Sequence, residues 1–138
     1  MNFVLDASVA LSWCFEDEGG EYVIGILEAL RSSEAVAASH WPLEVTNGLL
    51  TAERRGRIEP ARAAAFSRLL RSLPIVVDPV DRRRAFESTH PLARKHSLTT
   101  YDAAYLDLAL RLGVPLATVD SPLGAAAKAE GVEVFRAR

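Results

Sequence analysis

The chain has 138 residues, enough for one domain with a proper core, and 49% of them are apolar and 25% charged, the balance of an ordinary soluble globular protein. Sixteen Lys and Arg against eighteen Asp and Glu leave a net charge of −2. This excludes a global pull toward nucleic acid, so any such contact needs a local basic surface. The lone cysteine, Cys14, cannot form an internal disulfide and is expected to be a buried structural thiol. No uncharged apolar run approaches the roughly 20 residues that span a bilayer, and no basic segment precedes the first apolar stretch as in a signal peptide. The expectation is a soluble, cytoplasmic protein that meets no membrane.

Phe3–Leu5 reads as a buried strand, followed at once by a short apolar helix over Ala7–Phe15. Gly19–Gly20 breaks the chain, and Val23, Ile26, Leu27 and Leu30 give Tyr22–Arg31 a helical spacing. Ala35–Ala38 is a second strand. Pro42 opens a helix over Leu43–Arg55 with Leu43, Thr46, Leu49 and Leu50 on one side, and Gly56 ends it. Pro60 opens the next helix, with Ala63, Phe66, Leu69, Leu70 and Leu73 as its stripe, and Pro74 stops it. Ile75–Val77 is a β-branched third strand. Asp81–His96 reads as a helix kinked or broken at Pro91. Thr100–Leu112 is the clearest helix, capped by Thr99 or Thr100 and closed by Gly113. Leu116–Val119 is a fourth strand, Pro122–Glu130 an Ala-rich helix ended by Gly131, and Val132–Phe135 a last strand. This alternation predicts an α/β protein: a three-layer α/β/α sandwich on a short, mainly parallel sheet, one domain over residues 1–138.

In open parallel sheets ligands bind beyond the carboxyl ends of the strands. Asp6 follows the first strand and Asp120 the fourth; Asp102 and Glu44 lie in first turns of helices, where an anion is tolerated. Four carboxylates at one end of a sheet would repel each other. Either they do not converge or a cation neutralises them, and an all-oxygen donor set suits Mg²⁺ or Mn²⁺, not zinc. His40, His90 and His96 lack zinc-like spacing and read as surface or cap residues. Each acid also has a purely structural reading: Asp6 and Asp120 as helix caps, Glu44 and Asp102 as complements to helix dipoles. Asp78 reads as a turn residue and Asp107 as a solvated residue on another face of its helix.

Four stretches carry a resemblance. VLDASV, LEVTNGLL, TTYDAAYLDLAL and LATVD occur in this order at fitting spacings along essentially the whole chain, and together they resemble the PIN-domain family, most closely its VapC-type toxins, the ribonuclease halves of bacterial toxin–antitoxin pairs. The resemblance implies an α/β sandwich and an acidic metal site made by Asp6, Glu44, Asp102 and Asp120. It adds Ser8, Asn47 and Thr118 as groups that orient ligands or water. It implies Mg²⁺, with Mn²⁺ possible, and hydrolysis of RNA phosphodiester bonds, with transfer or ribosomal RNA typical substrates. It also implies a cognate antitoxin protein, docked on the helices around Leu49, Phe66 and Leu70 if these do not all pack in the core, and a homodimer. The chain departs from many relatives in carrying Pro122 just after Asp120.

Arginines cluster at positions 54, 55 and 57, at 62, 68 and 71, and at 82–84. They are either a solvated face or a rim that tracks phosphates, and the rim predicts steeply salt-dependent RNA binding. A receiver- or phosphatase-like protein would need a paired acid near Asp6, and a nucleotide-binding fold a Gly-rich phosphate loop; neither is present. A non-catalytic PIN-like module that binds RNA or protein is the remaining alternative, and the presence of all four acids argues against it.

Overall fold

The first apolar run forms the central strand: Phe3, Val4 and Leu5 of β1 are all fully buried. The computed structural model describes residues 2–79 and 81–137, the side chain of Glu16 excepted. Beside β1 (Phe3–Leu5) lie β2 (Ala35–Ala37), β3 (Ile75–Val77) and β4 (Leu116–Ala117) in the order β3-β2-β1-β4, all parallel. The register pairs Phe3 with Ala35 and Val4 with both Val36 and Leu116. The chain passes from β1 outward on one side through β2 and β3, then returns to place β4 on the other flank of β1. The point of reversal, between the ends of β1 and β4, is where parallel sheets hold their ligands.

Helices cover both faces: α1 (Ala7–Cys14), α2 (Glu21–Ala29), α3 (Trp41–Arg54), α4 (Pro60–Ser72), the short α5 (Arg82–Arg84), α6 (His90–His96), α7 (Thr100–Leu112) and α8 (Ser121–Ala129). Helix α1 packs on α3 so closely that a Cβ at Gly48 would stand 2.6 Å from a Leu11 methyl carbon. Helix α7 lies on β1 between α6 and α8. Its end at Gly113, φ 67°, is the left-handed turn that glycine makes without strain. No helix among the described residues is long and apolar enough to cross a membrane. Cys14 is buried and free, as expected.

Several expected details change. Strand β4 stops at Ala117, two residues before Val119, because Thr118 turns its side chain onto Asp6. The last strand over Val132–Phe135 is only a bridge from Val134 to Leu116. In α3 the buried positions are Trp41, Val45, Leu49 and Ala52, while Leu43 is 74% exposed and Thr46 and Leu50 face outward. Trp41, Val45 and Ala52 share the buried face with Leu49, so the stripe lies on another side of α3 from the one expected. Leu49, Phe66 and Leu70 are core residues.

The Asp81–His96 segment is helical, but its irregularity lies before Pro91. Without an N–H, Pro91 leaves the Glu87 carbonyl without its α-helical donor. The turn just upstream widens into a π-helix over Ala85–Thr89, in which the His90 N–H donates to the Ala85 carbonyl.

Asp107 is not solvated. Helix α7 is buried continuously from Tyr105 to Ala109, so it has no solvent face there. The Asp107 side chain, 12% exposed, accepts from Arg84 Nε at 3.1 Å and Nη2 at 2.8 Å. That two-pronged bond ties α5 to α7, and Arg111 to Asp78 at 2.6 Å adds a second tie to the end of β3. Arg84→Ala leaves the Asp107 charge nearly buried and unpaired. It should lower stability in urea unfolding by roughly 2 kcal/mol. The Arg84→Ala/Asp107→Ala double variant should lose less than the two single losses added.

Candidate active site

Asp6 caps α1 and does more. It is 3% exposed. Its Oδ1 accepts from Val9 N at 3.2 Å and from Ser8 Oγ at 2.7 Å, and its Oδ2 accepts from Thr118 Oγ1. The same two hydroxyls also accept: Ser8 Oγ from Val119 N at 3.2 Å and Thr118 Oγ1 from Asp120 N at 3.0 Å. Asp120 in turn caps α8, with Oδ1 accepting from Leu123 N at 2.9 Å. Pro122, in the first turn of α8, has no N–H to satisfy and fits this helix start. The end of β1 and the segment after β4 are thus stitched together through Asp6, Ser8 and Thr118.

Asp102 sits in the first turn of α7, its N–H held by the Thr99 hydroxyl at 3.1 Å. Glu44, in the first turn of α3, accepts from Tyr105 Oη at 2.7 Å. His40 Nε2 lies 2.8 Å from the same Glu44 oxygen, at an angle that is not a hydrogen bond's. Tyr105 is 1% exposed, and its ring and that of Tyr101 both tilt against His40, at 5.0 and 5.5 Å. Asn47 is exposed and hydrogen-bonds none of the acids among the described residues.

The electrostatics show which acids face one another. Burial pushes the Asp6 carboxyl up to about 6; the hydrogen bonds from Thr118, Ser8 and Val9 oppose this, and the charge of Asp120 adds to it. Asp102 is also held above the usual carboxylate range, first by burial, then by Asp120 and Glu44. Glu44 goes the other way: burial raises it, but His40 and Tyr105 together outweigh burial and hold it below its ordinary value. Asp120 therefore stands within electrostatic reach of both Asp6 and Asp102, and Glu44 within reach of Asp102.

The structural readings of these acids hold as far as they go, since Asp6 and Asp120 both cap helices. A cap, however, uses one oxygen at a helix start and does not require burial beside another carboxylate. The donor chemistry fits a hard divalent cation: carboxylate oxygens with the Ser8 and Thr118 hydroxyls behind Asp6, no thiolate, and one imidazole, His40, which sits on Glu44 alone. Among the described residues no three His, Cys, Asp or Glu side chains are placed to hold one ion together. Mg²⁺ asks for less, since it binds through one or two carboxylates and keeps several waters.

The sequence reading missed Tyr105 and His40. Both have signals: Tyr105 lies three residues after Asp102, and His40 four before Glu44, spacings that stack side chains on a helix. Of the arginines, Arg57 pairs with Asp17 and Glu18 and covers the Phe15 ring at 4.1 Å, and Arg62 donates to the Cys14 carbonyl. Arg83 and Arg84 are paired as well. Arg54 and Arg55 sit at the far end of α3, about 15 Å from Glu44 by helix rise. Arg82, exposed beside Arg84 and Arg111, has no ion-pair partner among the described residues.

Asp6 binds its proton more tightly in the folded chain than in the unfolded one. Its contribution therefore favours folding below pH 4 and is lost as pH rises through about 6, a difference of about 3 kcal/mol. In EDTA, Asp6→Asn should remove that slope and be more stable than wild type at pH 7.5, read from urea midpoints between pH 4 and 7.5. Equal slopes in the two proteins would contradict the burial argument. Millimolar Mn²⁺ or Mg²⁺ should raise the wild-type melting temperature and leave Asp6→Asn nearly unmoved.

No curated protein sequence matches the chain. Solved structures do. PAE2754 from Pyrobaculum aerophilum superposes with a TM-score of 0.67 at 23% identity, over 91% of this chain and 79% of that one. Mycobacterium tuberculosis VapC20, described as a sarcin-ricin loop cleaving toxin, gives 0.68 at 16% identity, over 97% and 98%. FitAcB from Neisseria gonorrhoeae gives 0.65 at 18%, over 99% and 97%. At these identities the likeness is one of fold. The sequence itself matches the PIN domain over residues 3–129, a span that includes all four acids, and the chain belongs to the PIN domain family.

Proposed function

We propose that the protein is a Mg²⁺- or Mn²⁺-dependent endoribonuclease. The observation that carries this reading is the hydrogen-bonded link from buried Asp6 through Thr118 to Asp120 beyond the ends of β1 and β4, with Asp102 and Glu44 close enough to shift with them. Asp6, Asp102 and Asp120 would hold the ion, directly or through water, with Glu44 completing the surround. The ion, when bound, polarises a phosphoryl oxygen and lowers the pKa of a coordinated water.

The residues divide the remaining work. Ser8 and Thr118 fix both oxygens of Asp6, so its orientation does not drift. Tyr105 fixes Glu44, and its raised pKa keeps the hydroxyl protonated as a donor. A general base works best with a pKa near the working pH. Glu44, held low by His40 and Tyr105, is poorly matched to that task and suits an anchoring role. Arg82, exposed and with no ion-pair partner among the described residues, would meet RNA phosphate.

The reading extends to the toxin of a toxin–antitoxin pair acting on transfer or ribosomal RNA, supported by the family and by the fold shared with VapC20. The exposed Leu43, Leu50 and Leu69 of α3 and α4 offer an antitoxin its apolar contact, in place of the buried Leu49, Phe66 and Leu70. A homodimer in the cytoplasm belongs to the same proposal.

Purified protein should cleave RNA with Mn²⁺ or Mg²⁺ and stop on chelation. Asp102→Asn and Asp120→Asn should each lose about two orders of magnitude or more in rate. Cleavage that survives EDTA or both substitutions would overturn the reading. Arg82→Ala should weaken RNA binding and flatten its log–log salt dependence by about 0.7, the share of one phosphate contact on a single strand.

A further inference from the structure

Beside the acids opens a cavity of ≈ 390 Å³ that none of the chemistry above uses. It shares His40 with the Glu44 contact, and its wall includes Tyr101, the residue before Asp102. Two large rings stand at it in contact with water: Phe86, 72% exposed, and Tyr101, 63% exposed. Phe86 belongs to the π-helical turn, a local irregularity that recurs at functional sites. Exposed rings at a cavity are what single-stranded nucleic acid stacks on, since every base has a π face.

The charges of the cavity decide what kind of ligand it suits. Arg84 is held by Asp107 and Arg111 by Asp78, and Asp81 adds another carboxylate. Two arginines against three aspartates leave no net positive charge for a phosphate. An uncharged flat ring suits this setting, and the hydroxyls of Ser39 and Thr100 in the wall can meet its polar edge.

We propose that this cavity holds one nucleobase of a single-stranded RNA, stacked on Phe86 and Tyr101, next to the phosphate that meets the acids. It is then the subsite that selects a base beside the cut. The identity of the strand rests on the nuclease reading above, and the stacking does not.

The test has two arms. Saturation-transfer NMR in EDTA uses 5′-AMP, GMP, CMP and UMP at millimolar concentration, with ribose 5-phosphate as the baseless control. Base protons of at least one nucleotide should receive saturation and ribose 5-phosphate should stay silent. Phe86→Ala and Tyr101→Leu should each weaken binding about fivefold or more, the equivalent of one stacking contact. Both side chains are exposed, so both variants should melt near wild type. In the second arm, wild type and Phe86→Ala cleave a randomised RNA with Mn²⁺, and the base preference beside the cut should flatten in the variant. If nothing is cleaved while nucleotides bind through their bases, the nuclease reading fails and the base pocket stands. Binding unchanged in both variants, equal signals from ribose 5-phosphate, or silence of all four nucleotides overturns the pocket. The last outcome would leave the cavity to a protein side chain.

Discussion

A carboxylate with almost no solvent exposure sits at the end of the central strand, and most of the site is organised around it. Three donors reach Asp6, yet its pKa stays near 6 rather than falling below 4. Hydrogen bonds from two hydroxyls and one amide do not offset the loss of water, and the neighbouring Asp120 makes the balance worse. The fold therefore holds two neighbouring carboxylates, one of them buried, at the adjoining ends of β1 and β4. The same hydroxyls that hold Asp6 receive the amides of Val119 and Asp120, so the burial of one acid also fixes the backbone that presents another.

The remaining acids are placed by helix starts rather than by strands. Glu44 and Asp102 lie in the first turns of α3 and α7, where the helix dipole favours negative charge. Their surroundings then push them apart: Glu44 is drawn down by His40 and Tyr105, and Asp102 is lifted by burial and by its acidic neighbours. Two carboxylates with opposite shifts in one site can take different parts in a hydrolysis. The ties from Arg84 to Asp107 and from Arg111 to Asp78 anchor the opposite wall, where the π-helical turn presents Phe86.

The strands and the acids that follow them were legible because both follow local rules, whereas the order β3-β2-β1-β4 has no local signal. A short apolar run that stops on Asp6 shows a buried strand and its carboxyl end without any knowledge of partners, and LATV before Asp120 locates β4 although the strand itself ends at Ala117. What escaped depends on contacts between distant residues. Asp107 looked solvated because helical spacing separates it from Asp102, and only the burial of α7 on all sides and the reach of Arg84 reverse that. The face of α3 was misjudged because Leu43 and Leu50 are as apolar as core residues, and only tertiary packing decides that Trp41, Val45, Leu49 and Ala52 are the ones buried. Pro91 announced an irregularity, but the carbonyl it deprives of an α-helical donor lies upstream, so the distortion appears at Ala85–Thr89. The pocket beside Tyr101 had no local signal, since its walls come from several separate elements.

The central claim is that the acids beyond β1 and β4 take up a divalent cation. Crystals grown with Mn²⁺ and measured at the manganese absorption edge test it most directly. The account predicts an anomalous peak within coordination distance of Asp6 and of Asp120 or Asp102, with the remaining ligands water. Manganese bound elsewhere, or none at millimolar concentration with Asp6 still closed on Ser8 and Thr118, would contradict it and leave these acids as helix caps.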